Sequence, residues 1–88
     1  MKYQAMQFIK TEKLGNNLVI LNVSSNETFL LNEGATKIME LLIKECSFDE
    51  IVSNVSNYYG ISQGNSITDT KDIIDEMLGY GIISEING

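Results

Sequence analysis

Asp69, Asp72, Asp75 and Glu76 bring four carboxylates close together in the chain, and clusters of this kind can hold metals or act as acid and base. Their spacing argues for something plainer. Projected at about 100° per residue, all four fall on the side of a helix opposite Ile74 and Met77, which is the pattern of a solvated face. Asp69, Asp72 and Asp75 also sit near the N-terminal end of that helix, where the macrodipole favours negative charge. The chain has no histidine, so a histidine-based triad is excluded. Its lone cysteine, Cys46, has no evident basic partner to lower its pKa and reads as a small buried filler. The expectation is a protein that is not an enzyme and has neither cofactor nor metal.

The elements that carry these residues are set by length and composition. With 88 residues only one core can be buried, so residues 1–88 are expected to form a single domain. Hydrophobic residues make up 43% and charged residues 20%, the values of a folded globular chain. Twelve acids against six basic residues, all lysine, give a net charge of -6. The absence of arginine removes the side chain best suited to bidentate phosphate or guanine contacts. Nucleic acid is therefore not an expected partner. The longest apolar runs, at residues 18–21 and 41–43, fall far short of the roughly 20 residues of a membrane span. Residues 1–10 carry no apolar signal core, and an unpaired cysteine suits a reducing compartment, so the cytoplasm is the expected location.

Residues 8–13, 18–23 and 28–31 are short β-branched or aromatic runs divided by Gly15, Asn16 and Asn17 and by Ser24, Ser25 and Asn26. They predict a three-stranded antiparallel meander whose apolar face something else must cover. A helical stripe follows in Ala35, Ile38, Met39, Leu42 and Ile43, with Asn32 as its N-cap. Ser47 and Glu50 have capping-box spacing and open a second helix with the stripe Phe48, Ile51, Val52, Val55 and Tyr59. Residues 60–66, with two glycines among polar residues, read as a loop. A third helix begins near Thr68 or Asp69, runs through Ile73, Ile74, Met77 and Leu78, and stops at Gly81. Ile82, Ile83 and Ile86 suggest a short last strand.

Strands preceding helices indicate an α+β, winged-helix-like fold with a three-stranded antiparallel sheet followed by three helices. Many repressors are built in this way. The third helix, however, sets Lys71 against four acids, and that charge opposes docking on DNA. Gly64, Asn65, Ser66 and Ile67 are similar to the attachment serine of acyl carrier proteins. Those carriers are four-helix bundles with the serine near the middle, whereas here strands occupy the front and the serine lies late.

Three strings resemble the PqqD-like family of peptide chaperones, also called RiPP recognition elements. Phe29-Leu30-Leu31-Asn32-Glu33-Gly34-Ala35-Thr36-Lys37-Ile38 is similar to the family's strand-to-helix joint, and Met39-Glu40-Leu41-Leu42 continues it. Ser47-Phe48-Asp49-Glu50-Ile51-Val52, with Tyr58 and Tyr59 further on, resembles its second helix. Asp72-Ile73-Ile74-Asp75-Glu76-Met77-Leu78 followed by Gly81-Ile82-Ile83 is similar to the last helix and its glycine stop.

The resemblance implies that the leader segment of a ribosomally synthesised precursor peptide adds as a strand beside the third strand, in a groove against the third helix. Carried over, the backbone of Glu27, Thr28, Phe29, Leu30 and Leu31 pairs with the leader, and Asp72, Asp75 and Glu76 flank it. Edge-strand pairing of this kind is physically sound, because an exposed edge leaves N–H and C=O groups free. Acids beside the groove would favour leaders that carry lysine or arginine. The implied role is to hold the leader for a separate modifying enzyme in peptide natural-product biosynthesis, the partner being a radical SAM enzyme or a leader peptidase. The alternative is a winged-helix-like regulatory or structural protein-interaction domain. A free edge also allows a homodimer.

Overall fold

A computed structural model of the chain describes residues 2–86. The order is β1 (Lys2–Ala5), β2 (Ile9–Leu14), β3 (Asn17–Asn22), β4 (Glu27–Leu31), α1 (Glu33–Ile43), α2 (Phe48–Tyr59), α3 (Gln63–Tyr80) and β5 (Ile83–Ile86). β2, β3 and β4 form the expected antiparallel meander in that spatial order, and β1 pairs antiparallel with β5 in a separate two-stranded sheet.

Alternation explains which face of the meander is covered. Leu18, Ile20 and Asn22 of β3 are buried while Asn17, Val19 and Leu21 between them are only partly so. In register, Leu18 lies opposite Leu31 and Ile20 opposite Phe29, which fixes the inward face of β4. The turn into β4 is held by Asn22, whose Oδ1 accepts from the backbone N–H groups of Ser24 and Ser25 at 2.9 and 3.0 Å.

The joint between β4 and α1 is tied from both sides. Asn32 caps α1 by accepting from the Ala35 N–H at 3.0 Å, and the buried Thr36 hydroxyl donates back to the Leu31 carbonyl at 3.1 Å. Ser47 and Glu50 form the reciprocal capping box at the start of α2. One apolar cluster joins Tyr3, Leu18, Ile20 and Leu31 of the strands with Ile38, Met39, Leu42, Ile51, Val55, Ile74 and Met77 of the helices and with Ile82 and Ile83. Burial of these side chains is the main force holding the helices to the sheet, at about 1.5–3 kcal/mol for each large one.

Helix ends show how local geometry limits each element. α1 and α3 stop in the same way, with crossed hydrogen bonds and a residue in the left-handed region. At α3 that residue is Gly81, with φ 73°. At α1 it is Glu45, with φ 62°, where the Cys46 N–H donates to Leu41 O and the Glu45 N–H to Leu42 O.

Three expectations need correction. α3 starts at Gln63, not near Thr68, because Ser62 caps it by accepting from the Asn65 N–H at 3.2 Å. Its first buried positions are Ser66 and Thr70, so the early turns bury polar side chains and leave no apolar stripe to read. β1 was not anticipated, since its partner β5 lies at the other end of the fold and no hairpin signal marks it. Ile43 is 50% exposed and leaves the α1 stripe, while Leu41 joins the core in its place.

Candidate functional site

β4 is the terminal strand of the three-stranded sheet, so among the described residues one of its edges meets no other strand. In an antiparallel pair, alternate residues turn their N–H and C=O groups toward the neighbour and the others turn theirs away. The outward-turned groups of β4, a strand of five residues, therefore meet no other strand among the described residues.

Beside this edge lies a groove of about 310 Å³. One wall is Thr28, Phe29, Leu30 and Leu31, and the other is Ile73, Glu76, Met77 and Tyr80 of α3, with Asn32 and Ala35 at one end. Residues 73, 77 and 80 share a helix face by their spacing, which is why α3 presents a continuous wall. Leu31 and Met77 are buried and form the floor. The rings of Phe29 and Tyr80 stack across the two walls with centroids 4.6 Å apart and planes 21° from parallel.

Tyr80 is held from its other end as well. Its hydroxyl donates to Glu76 Oε1 at 2.5 Å, one helical turn away. That hydrogen bond, helped by slight desolvation and by the Glu76 charge, raises the Tyr80 pKa above the ordinary phenol range. The ring orientation at the groove thus depends on both a stacked partner and a carboxylate.

A second, wider cleft of about 790 Å³ shares Asn32 and Ile73 with the groove. It lies between the start of α1, the end of α2 and α3. Ile38, Val55 and Ile61 supply apolar lining, and Glu33, Asp69 and Asp72 supply carboxylates. Tyr59 also lines it, and its pKa is raised by burial and then by the charge of Glu33.

The expected site residues are distributed unequally over this surface. Thr28, Phe29, Leu30, Leu31 and Glu76 line the groove together. Alternation turns Phe29 and Leu31 toward the helices, and Leu30 is 66% exposed, so the apolar pair and not Leu30 faces inward. Glu27 is exposed at the turn end of β4, opposite Asn22. Asp72 lies in the second cleft with Asp69. Asp75 departs furthest from its expected place, because its charge acts on the Tyr3 hydroxyl, toward β1. The reason is angular: Asp75 is two residues, about 200° around the helix, from both Ile73 and Met77, so it projects away from the wall they form. All four acids of α3 are exposed.

Tyr80, Ile73 and Met77 are groove residues that the sequence reading left out of the site. The signal was the spacing of Tyr80 from Ile73 and Met77, which places an aromatic in line with an apolar pair. Ser66, compared above with a carrier's attachment serine, is fully buried, and its hydroxyl donates to Val52 O at 2.7 Å. A serine in that position is not accessible for attachment. Among the described residues no cluster of three or more acids, cysteines or histidines has a metal-binding arrangement.

Fold and groove together define a small α+β domain that keeps one strand edge open beside a helix. Residues 17–83 match the family model described as coenzyme PQQ synthesis protein D (PqqD), and the chain belongs to that family. The match runs from β3 to the start of β5, and it agrees with the resemblance carried by residues 29–42, 47–52 and 72–83. No curated protein sequence matches the chain. Two solved structures share the fold. One is TbiB1 in complex with the TbiA(beta) leader peptide, at 15% identity and TM-score 0.89 over 97% of this chain and 99% of that one. The other is a lasso peptide synthetase B1 complexed with the leader peptide, at 16% identity and TM-score 0.88 over 97% and 100% of the two chains.

Proposed function

We propose that this protein binds the leader segment of a ribosomally synthesised precursor peptide as an added strand along β4 and presents it to a separate enzyme. The observation that carries the reading is the free edge of β4 beside the groove walled by α3. An extended peptide gains backbone hydrogen bonds on such an edge, and its alternate side chains enter the groove, so affinity and selectivity come from different atoms. Membership of the PqqD family and the leader peptides bound in the two similar structures support the same reading.

The protein itself carries out no reaction in this scheme. It raises the effective concentration of the core peptide at a radical SAM enzyme or a leader peptidase that works on the tethered segment. Of the residues expected from sequence, Thr28, Phe29, Leu30 and Leu31 act through the strand edge, with Glu27 continuing it toward the turn. Glu76 flanks the peptide from α3, and Asp72 does so from the adjoining cleft.

The test is an isotope-labelled NMR titration with the leader of a precursor encoded beside the gene. The expected result is shifts concentrated in β4 and in α3 from Ile73 to Tyr80, at micromolar or tighter affinity. N-methylation of alternate peptide amides should abolish them, because it removes the donors that pair with the strand. Shifts elsewhere, or binding indifferent to N-methylation, would overturn strand addition. Self-association through β4 would instead appear as shifts that depend on protein concentration without peptide.

A further inference from the structure

The cleft beyond the end of β4 differs in chemistry from the groove. Its lining combines an apolar floor, including Ile38, Val55 and Ile61, with a rim of Glu33, Asp69 and Asp72. No lysine lines it among the described residues. The Tyr59 hydroxyl beside the floor has its pKa raised by burial and by Glu33, so at neutral pH it adds no charge. Asn32 and Ile73 belong to both cavities, so the two adjoin at the Leu31 end of β4, and a peptide strand that continues past Leu31 comes up against the cleft.

We infer that this cleft is a second subsite, which takes a lysine or arginine side chain of the bound peptide one or a few residues beyond the segment paired with β4. The inference deepens the leader-binding reading above and rests on it. A long basic side chain matches both halves of the cleft: its methylene stem covers the apolar floor and its charged head stays at the rim among the carboxylates. A shorter polar residue would leave the floor wet, and an aliphatic residue would leave the acids without a counter-charge. Electrostatic complementarity of this sort fixes register, since sliding the peptide by one residue on β4 turns the basic side chain to the other face. The cleft thus supplies the register that a uniform strand edge lacks.

The experiment uses the full chain and a displayed library of random 16-residue peptides. Enriched peptides are synthesised, mapped by NMR, and measured against the wild type and against the Asp69→Asn/Asp72→Asn variant. Both positions are exposed, so the variant should fold as the wild type does. Peptides that shift β4 are expected to carry a basic residue at a constant spacing from the paired segment. Replacing that residue by norleucine, or using the double variant, should each weaken binding about two- to fivefold in low salt, with little further loss when combined. The difference should shrink at 0.5 M salt. If β4-binding peptides show no basic preference and the double variant binds them equally, the subsite is refuted and strand addition stands. If no enriched peptide shifts β4, the leader-binding reading fails and the subsite falls with it.

Discussion

The stack of Phe29 on Tyr80 ties the edge strand to α3 across the groove, and its contribution to stability is measurable. At a centroid distance of 4.6 Å and 21° between planes, the pair has the offset-parallel geometry for which about 0.5–1.5 kcal/mol is gained beyond area burial. Tyr80 is 39% exposed, so part of the gain is screened by water and the lower half of that range, about 0.5–1 kcal/mol, is expected here. Leucine at either position keeps apolar volume and removes the ring. Urea unfolding of the wild type, Phe29→Leu, Tyr80→Leu and the double variant gives the coupling energy directly. The double variant should be less destabilised than the sum of the singles by about 0.5–1 kcal/mol. Additive effects, with coupling below about 0.3 kcal/mol, would refute the idea that this contact spans the groove.

Other consequences follow from single residues. Glu45 occupies a left-handed position that costs a side-chain-bearing residue about 1 kcal/mol, so Glu45→Gly should raise the urea midpoint, and a lowered midpoint would contradict the helix end described. Among the described residues the buried Thr70 hydroxyl has no hydrogen-bond partner, and Thr70→Val, of the same shape, should be neutral or stabilising by up to about 1–2 kcal/mol in thermal unfolding. Ser66→Ala leaves the buried Val52 carbonyl without its side-chain donor and should cost about 1–3 kcal/mol, whereas a solvent-facing serine would cost almost nothing. Tyr80 should ionise above the usual phenol pH when followed by NMR of its ring carbon, and Glu76→Gln should bring that pKa down. The raised pKa means that the folded state favours the protonated phenol. Its contribution is present below the ordinary tyrosine pKa and is lost as pH climbs through the folded value.

The parts of this fold that were legible in the sequence are those fixed by neighbours in the chain. Asn32 before an apolar stripe, Ser47 three residues ahead of Glu50, and Gly81 after Leu78 each declare a helix end through bonds within a few residues. The meander was readable because β2, β3 and β4 alternate and are joined by short polar turns. What could not be read depends on distant partners. α3 starts at the local Ser62 cap, but its early turns carry no apolar stripe to read because they bury Ser66, whose hydroxyl finds Val52 on another helix. The third strand of the meander and the last helix, the elements the family resemblance pointed to, do wall one cavity, but which side chains line it is set by rotation about the helix axis. The four acids looked like one face in projection, yet packing of α3 against β4, β5 and α2 directs Glu76, Asp72 and Asp75 to three different surroundings.

The pairing of β1 with β5 governs the order in which this protein assembles. Gln4 and Ser84, joined by a side-chain hydrogen bond, are 80 positions apart, so closing that contact first would cost about 4 kcal/mol of chain entropy, before any constant term. The β2–β3 hairpin and the helix ends need only local closure. Assembly should therefore begin in the meander and helices and finish with this small clasp, in keeping with the slow formation of distant contacts. Because β1 has only β5 beside it while β3 is the central strand of its sheet, amides of β1 should exchange with solvent before those of β3.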